Sequence, residues 1–355
     1  VELMRQATAA EVEVALTSRH VGAREFATLL APAAAPFLER MAAAAQTLTR
    51  RHFGRTITLY APLYLSSHCS SGCAYCGFAS DRAHPRHKLT FDELETELAA
   101  LKRMGIAEVL LLTGERTPVA DFDYVLECVR RAAAQMALVT IETFPMTTAE
   151  YRTLVAAGCT GVTLYQETYD TTVYAALHRW GPKRDFTNRL EAPARALEAG
   201  LRQIGCGVLL GLADPLADAL RLYRHVTGLQ KHFWRAGFSV SFPRLRPAAG
   251  GFQPAYPVSD ALLAQLIFAF RLALPEHQLV LSTREPAPLR DGFAGVGISK
   301  MSVASRTTVG GYDHAPADEI GQFEVNDARG VEEFCAALRT AGLEPVFKNW
   351  DAAYR

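Results

Sequence analysis

From Thr56 onward the chain alternates between short apolar or β-branched runs and longer stretches with apolar residues three and four apart. The runs fall at 57–65, 108–113, 138–144, 161–166, 203–210, 238–242, 279–283 and 298–303, and the helix-patterned stretches at 91–104, 122–136, 149–157, 190–199, 217–233 and 259–272. Strands that alternate with amphipathic helices predict parallel pairing through right-handed crossovers. Eight such units predict an α/β protein with a (β/α)8 TIM-type barrel. Thr90 precedes the first of these helices as an N-cap, and Gly105, Gly158 and Gly200 stand where three helices give way to the next strand.

Before the barrel, residues 1–54 are Ala-rich and helical in pattern, interrupted by Pro32 and Pro36, and read as a helical extension packed on the barrel. The barrel itself is assigned to 55–310. Residues 311–355 read as a short C-terminal extension with one helix near 331–341 and a terminal apolar run at 345–350. No low-complexity linker separates these pieces.

Composition narrows the function. With 355 residues, 49% of them hydrophobic, the chain exceeds the roughly 250 residues of a typical barrel and has room for both extensions. Thirty-seven basic and thirty-seven acidic residues give a formal charge of zero, which favours neither nucleic acid nor an anionic membrane surface as a partner. No apolar run reaches membrane-span length, and no basic segment followed by an apolar one opens the chain. The expectation is a soluble, cytoplasmic protein. Because the sequence opens on Val1 rather than Met, further N-terminal residues are expected to precede it.

The chemistry centres on Cys69, Cys73 and Cys76, which follow the first strand run at C-x3-C-x2-C spacing. Three thiolates on one loop suffice for three irons of a [4Fe-4S] cluster, which ordinarily takes four cysteines, so one iron is left for a non-protein ligand. The alternative is a structural zinc site completed by His68, His84 or His87. Closed zinc sites pair two short hooks, and the second hook is missing here. Disulfides are disfavoured in a chain of seven scattered cysteines without a secretory signal. Cys128, Cys159, Cys206 and Cys335 read as small buried hydrophobes.

The cysteine triple with Gly77-Phe78, the strand end Pro62-Leu63-Tyr64-Leu65-Ser66, Leu112-Thr113-Gly114-Glu115, Tyr165-Gln166-Glu167-Thr168-Tyr169, Ser241-Phe242-Pro243-Arg244-Leu245-Arg246-Pro247, Leu281-Ser282-Thr283-Arg284-Glu285, Gly310-Gly311-Tyr312 and Lys348-Asn349-Trp350-Asp351 occur in order along the chain. Together they resemble the radical S-adenosylmethionine (SAM) superfamily. Within it they are most similar to the aromatic amino acid lyases, specifically the 2-iminoacetate synthase (tyrosine lyase) family of thiamine biosynthesis.

The resemblance implies that Cys69, Cys73 and Cys76 hold a [4Fe-4S] cluster whose free iron binds S-adenosyl-L-methionine. It implies a cofactor wall of Tyr75, Thr113, Gly114, Glu115, Glu167 and Arg189, with Arg184 and Arg195 as competitors for the role of Arg189. One of Arg244 and Arg246, with Arg244 the one assigned, is expected to anchor SAM or fix a wall of the site, the alternative being an internal salt bridge. Arg284 and Ser302 match the groups on the carboxylate of the aromatic amino acid, and Tyr64 a tyrosine lining its pocket. The implied reaction splits the Cα–Cβ bond of L-tyrosine to 2-iminoacetate and p-cresol, with 5′-deoxyadenosine and methionine formed. Tyr169, His178 and Glu285 stand among the open candidates for a base. A thiazole synthase and a flavodoxin- or ferredoxin-type electron donor are the implied partners. Two other readings remain: a lyase acting on L-tryptophan, and a non-catalytic iron–sulfur or zinc scaffold. Unlike the hydrogenase-maturation tyrosine lyase, the sequence carries no second group of cysteines after Gly311.

Overall fold

The computed structural model describes residues 2–313 and 320–348; most of the terminal Lys348-Asn349-Trp350-Asp351 motif lies outside them. Eight parallel strands close into a barrel: β1 (Thr56–Tyr64), β2 (Glu108–Leu112), β3 (Leu138–Glu142), β4 (Gly161–Glu167), β5 (Gln203–Val208), β6 (Gly237–Ser241), β7 (Gln278–Leu281) and β8 (Lys300–Ser302). Closure runs through β1, which pairs with β8 from Thr58↔Lys300 and with β2 from Ala61↔Val109. The predicted barrel is therefore the observed one, with strand ends within a few residues of the apolar runs.

Local chemistry explains the alternation. Glu108-Val-Leu-Leu-Leu112 is buried along its whole length, as expected for a strand covered on both faces. The next helix, Phe122–Ala133, starts at Asp121, whose carboxylate accepts from Tyr124 N. Helices Phe91–Arg103 and Thr148–Ala156 open on capping boxes, Thr90 with Glu93 and Thr147 with Glu150. Gly158 and Gly200, at the far ends of their helices, hold φ of +100° and +107°, which a side chain would disfavour.

Helices Ala9–Thr17, Ala23–Leu29 and Leu38–Phe53 precede the barrel. They lie against its outer helices: Phe26 stacks on Tyr223 at 4.5 Å and meets Phe270 edge-on, while the Gln265 amide donates to Leu29 O and Ala31 O. Three elements go beyond the sequence prediction. Short helices Thr171–Leu177 and Ala287–Phe293 form on loops, and a ninth strand, β9 (Glu344–Val346), pairs with the first residues of β1. Segment 320–327 returns across the C-terminal ends of the strands, with Gln322 N bonded to Thr307 O, Glu324 N to Pro247 O and Asn326 N to Thr283 O.

Side chains fill the barrel only at its waist. Tyr60, Tyr165 and Leu110 line both a cavity at the N-terminal end of the strands, about 830 Å³, and a smaller one at the C-terminal end, about 110 Å³. The second cavity opens among the groups described next.

Candidate active site

The cysteine loop leaves β1 and is tied down by cations that donate to its carbonyls. Arg86 reaches Ser67 O at 2.6 Å and Phe78 O at 2.8 Å, and Arg82 reaches Ala74 O at 2.8 Å. The Cys69 sulfur receives Glu115 N–H at 3.3 Å and the Cys76 sulfur receives Phe78 N–H at 3.4 Å. Donors aimed at sulfur favour thiolate over thiol. Without iron, burial raises the Cys69 thiol to about 11 and pushes Cys73 higher still, so metal binding must displace protons. Among the described residues no three His, Cys, Asp or Glu side chains converge as ligands of a single ion. A cluster asks instead for thiolates that each take a different iron, and this donor set fits it.

Beside the loop stands a wall of buried charges. Arg189 donates to Glu115 at 3.0 Å and to Tyr165 O at 2.7 Å, and Lys183 donates to Glu167 at 2.6 Å. Glu167 ends β4 at φ +69°, where the register with β5 slips. A non-glycine residue held there is strained, and its side chain is aimed by the bulge. Burial alone would raise the Glu167 pKa; Lys183 and Arg189 outweigh it and hold it below the ordinary value. Glu115 keeps one buried carboxylate oxygen, Oε2, without a hydrogen-bond partner. An orphaned acceptor next to the cysteine loop fits a ligand that brings its own donors, as the ammonium group of SAM does. Thr113 turns its hydroxyl to Gly114 O. A Cβ on Gly114 would come within 2.6 Å of Cys69 Cβ and His68 O. Tyr75 donates to His178 Nε2 at 2.8 Å while His178 Nδ1 bonds Tyr174 O.

The cavity side holds Tyr64, Ser302 and Arg284 together. Tyr64 donates to Gln322 at 2.7 Å, and Ser302 Oγ accepts from Thr283 N at 3.2 Å. The Arg284 guanidinium lies over the Phe323 ring at 3.3 Å, and among the described residues it contacts no carboxylate.

Arg244 is the one sequence-predicted cofactor residue that the structure turns elsewhere. Its guanidinium is taken by Glu285, by Asp260 at 2.7 Å and by Val258 O, so the salt-bridge alternative describes it. Arg246 lines the cavity instead and shares Glu285 at 2.8 Å. Sequence reasoning missed Lys183, Glu142, Gln322 and Phe323, all of which line the cavity. A signal existed for Glu142, since it follows Thr140 by two residues on β3 and so shares its lumenal face.

Comparison with known proteins agrees with this geometry. Residues 63–225 match the Radical SAM superfamily and residues 241–344 the Biotin and Thiamin Synthesis associated domain. The 2-iminoacetate synthase of Salmonella typhimurium is 41% identical over 348 residues, 97% of this chain and 92% of that protein. The chain belongs to the 2-iminoacetate synthase family of radical SAM enzymes. The Escherichia coli member is 42% identical over 347 residues, with the same shares of the two chains covered. Among solved structures, HydG, a maturase of the [FeFe]-hydrogenase, superposes with a TM-score of 0.92 at 31% identity, covering 100% of this chain and 79% of that one. Membership in the 2-iminoacetate synthase family makes the chain a radical SAM lyase and implies an iron–sulfur cluster and SAM as its cofactors.

Proposed function

We propose that the enzyme cleaves the Cα–Cβ bond of L-tyrosine to 2-iminoacetate and p-cresol, forming methionine and 5′-deoxyadenosine, for the thiazole of thiamine. The observation that carries the reading is Arg284: a cation that among the described residues forms no ion pair with a carboxylate, lining one cavity with Tyr64 and Ser302 beside the cysteine loop. An arginine there calls for a planar anion, and an amino acid carboxylate is one.

Cys69, Cys73 and Cys76 would hold the cluster, and Glu115, Glu167 and Arg189 would hold SAM, with Tyr75, Thr113 and Gly114 shaping its seat. When bound, the reduced cluster and SAM supply a 5′-deoxyadenosyl radical that removes one hydrogen atom from the substrate amine. The chain's own residues decide which hydrogen that is. Arg284 and Ser302 fix the carboxylate, the Tyr60 and Tyr165 rings set the floor, and segment 320–327 excludes water from above. The proposal extends to the cytoplasm as the setting, a flavodoxin or ferredoxin as electron donor and a thiazole synthase as the protein that receives the product. Among the described residues no helix is long and apolar enough to cross a membrane.

Anaerobic turnover of the iron-reconstituted protein with dithionite, SAM and either L-tyrosine or L-tryptophan tests the reading. Tyrosine-dependent p-cresol together with 5′-deoxyadenosine is expected. Indole products in its place would shift the substrate to tryptophan, and 5′-deoxyadenosine without either product would remove both.

A further inference from the structure

An amine held as ammonium has no lone pair to stabilise the radical left when its hydrogen atom departs. The substrate must therefore lose a proton first, and a group in the cavity has to receive it. The three bases considered from sequence are each committed elsewhere. Tyr169 bonds His225 at 2.7 Å, outside the cavity lining. His178 is locked between the Tyr75 hydroxyl and Tyr174 O. Glu285 is held by Arg244 and Arg246.

The acids at the strand ends separate in the same way. Glu115 is paired with Arg189, and Glu167 with Lys183. Glu142, the last residue of β3, lines the cavity with Arg284, Tyr64 and Ser302, yet among the described residues its carboxylate makes no hydrogen bond or ion-pair contact. The cavity thus contains one cation and one carboxylate that sense each other's charge but, among the described residues, make no ion-pair contact with each other or with another charged side chain. An α-amino acid carries the two complementary charges.

The geometry points to Glu142 as the catalytic base: it meets the α-ammonium of the amino acid whose carboxylate Arg284 holds, and takes one proton from it. The step balances as ammonium plus carboxylate giving neutral amine plus carboxylic acid, with no electron transferred and the nitrogen lone pair released for the hydrogen-atom abstraction that follows. The inference rests on the amino acid reading above. The electrostatics of the site agree. Burial, with Glu167 adding to it, raises Glu142 to about 7, while Arg284, Arg189 and Lys183 oppose the rise. The remaining groups that sense its charge are the phenols Tyr60, Tyr64 and Tyr165. A base poised near neutrality is suited to accept and return a proton.

The test compares the reconstituted wild type with Glu142→Gln and Glu142→Asp across pH. In Glu142→Gln, p-cresol formation at neutral pH is expected to fall by about 10²-fold or more and to recover toward alkaline pH, where the amine loses its proton unaided. Glu142→Asp is expected to lie between, and 5′-deoxyadenosine formed in the presence of tyrosine is expected to fall with p-cresol in both. A second readout needs no turnover: equilibrium binding of L-tyrosine against 3-(4-hydroxyphenyl)propanoate, which keeps the carboxylate and ring and lacks the amine. The wild type should prefer tyrosine by about tenfold, as a charge-assisted contact implies, and Glu142→Gln should lose that preference. Wild-type activity and an unchanged pH profile in Glu142→Gln would overturn the assignment. Absence of p-cresol from the wild type itself counts instead against the tyrosine reading, and the binding preference then decides the role of Glu142 by itself.

Discussion

Arg189 donates to Glu115 at 3.0 Å, and both side chains are only 6% exposed. The pair joins the loop after β2 to the helix Phe186–Glu198, across the cleft beside the cysteine loop. Removing one partner of a buried pair strands the other. Arg189→Met is expected to destabilise the protein by about 3–5 kcal/mol, measured by denaturant unfolding, and to abolish SAM binding measured by equilibrium dialysis. An unfolding midpoint equal to wild type would show that Glu115 and Glu167 need no cation here.

Arg284→Lys keeps the charge and removes the planar fork. A lysine ammonium is a point charge that cannot reproduce two parallel bonds to a carboxylate. The expected outcome is a fall of about 10- to 10²-fold in kcat/KM for tyrosine, the equivalent of one lost charge-assisted bond, carried mainly by KM. SAM cleavage without tyrosine should stay near wild type. If kcat/KM is unchanged, the substrate carboxylate is bound elsewhere.

Legibility in the sequence followed the range of the interaction concerned. The strands were readable because each is a local apolar run, and Cys69, Cys73 and Cys76 because one loop carries all three. The place of Arg284 at a strand end was readable, whereas its role on a carboxylate came with the resemblance to the lyase family and stands as a proposal. Arg244 was not resolved from Arg246, because the carboxylates that claim it, Asp260 and Glu285, lie sixteen and forty-one residues further along the chain. Lys183 enters from the loop after β4 and Phe323 from the C-terminal segment, so neither belongs to a strand-end motif. β9 is three residues long, and its pairing with β1 rests on tertiary packing that no period in the sequence encodes.

Acid stability should carry the mark of buried neutral histidines. His225 and His277 are both held down to about 4, chiefly by burial, with Arg271 adding to the effect at His277. The folded pKa lies below the unfolded value of about 6.5, so the unfolded chain binds more protons between the two. Their contribution is complete above about pH 6.5 and is lost as pH falls toward 4, at about 1.4 kcal/mol per pH unit for each histidine. Unfolding free energies at a series of pH values should show this slope, and His277→Gln should reduce it. An unchanged slope in that variant would assign the acid sensitivity to other groups.

Gly114 sits where the tip of β2 backs directly onto the cysteine loop. A Cβ there would stand 2.6 Å from both Cys69 Cβ and His68 O, and neither atom is the end of a flexible side chain that could swing away. The backbone of the cysteine loop would have to retreat, drawing the Cys69 sulfur away from the Glu115 N–H that donates to it at 3.3 Å. Core and barrel closure lie elsewhere, so the fold should survive. Gly114→Ala is therefore expected to keep its far-ultraviolet circular dichroism while binding less than half the iron of the wild type after anaerobic reconstitution, and to lose p-cresol and 5′-deoxyadenosine formation in proportion. Full iron loading with normal turnover would mean that the loop can shift without disturbing the ligands, and that glycine at this position serves only the turn.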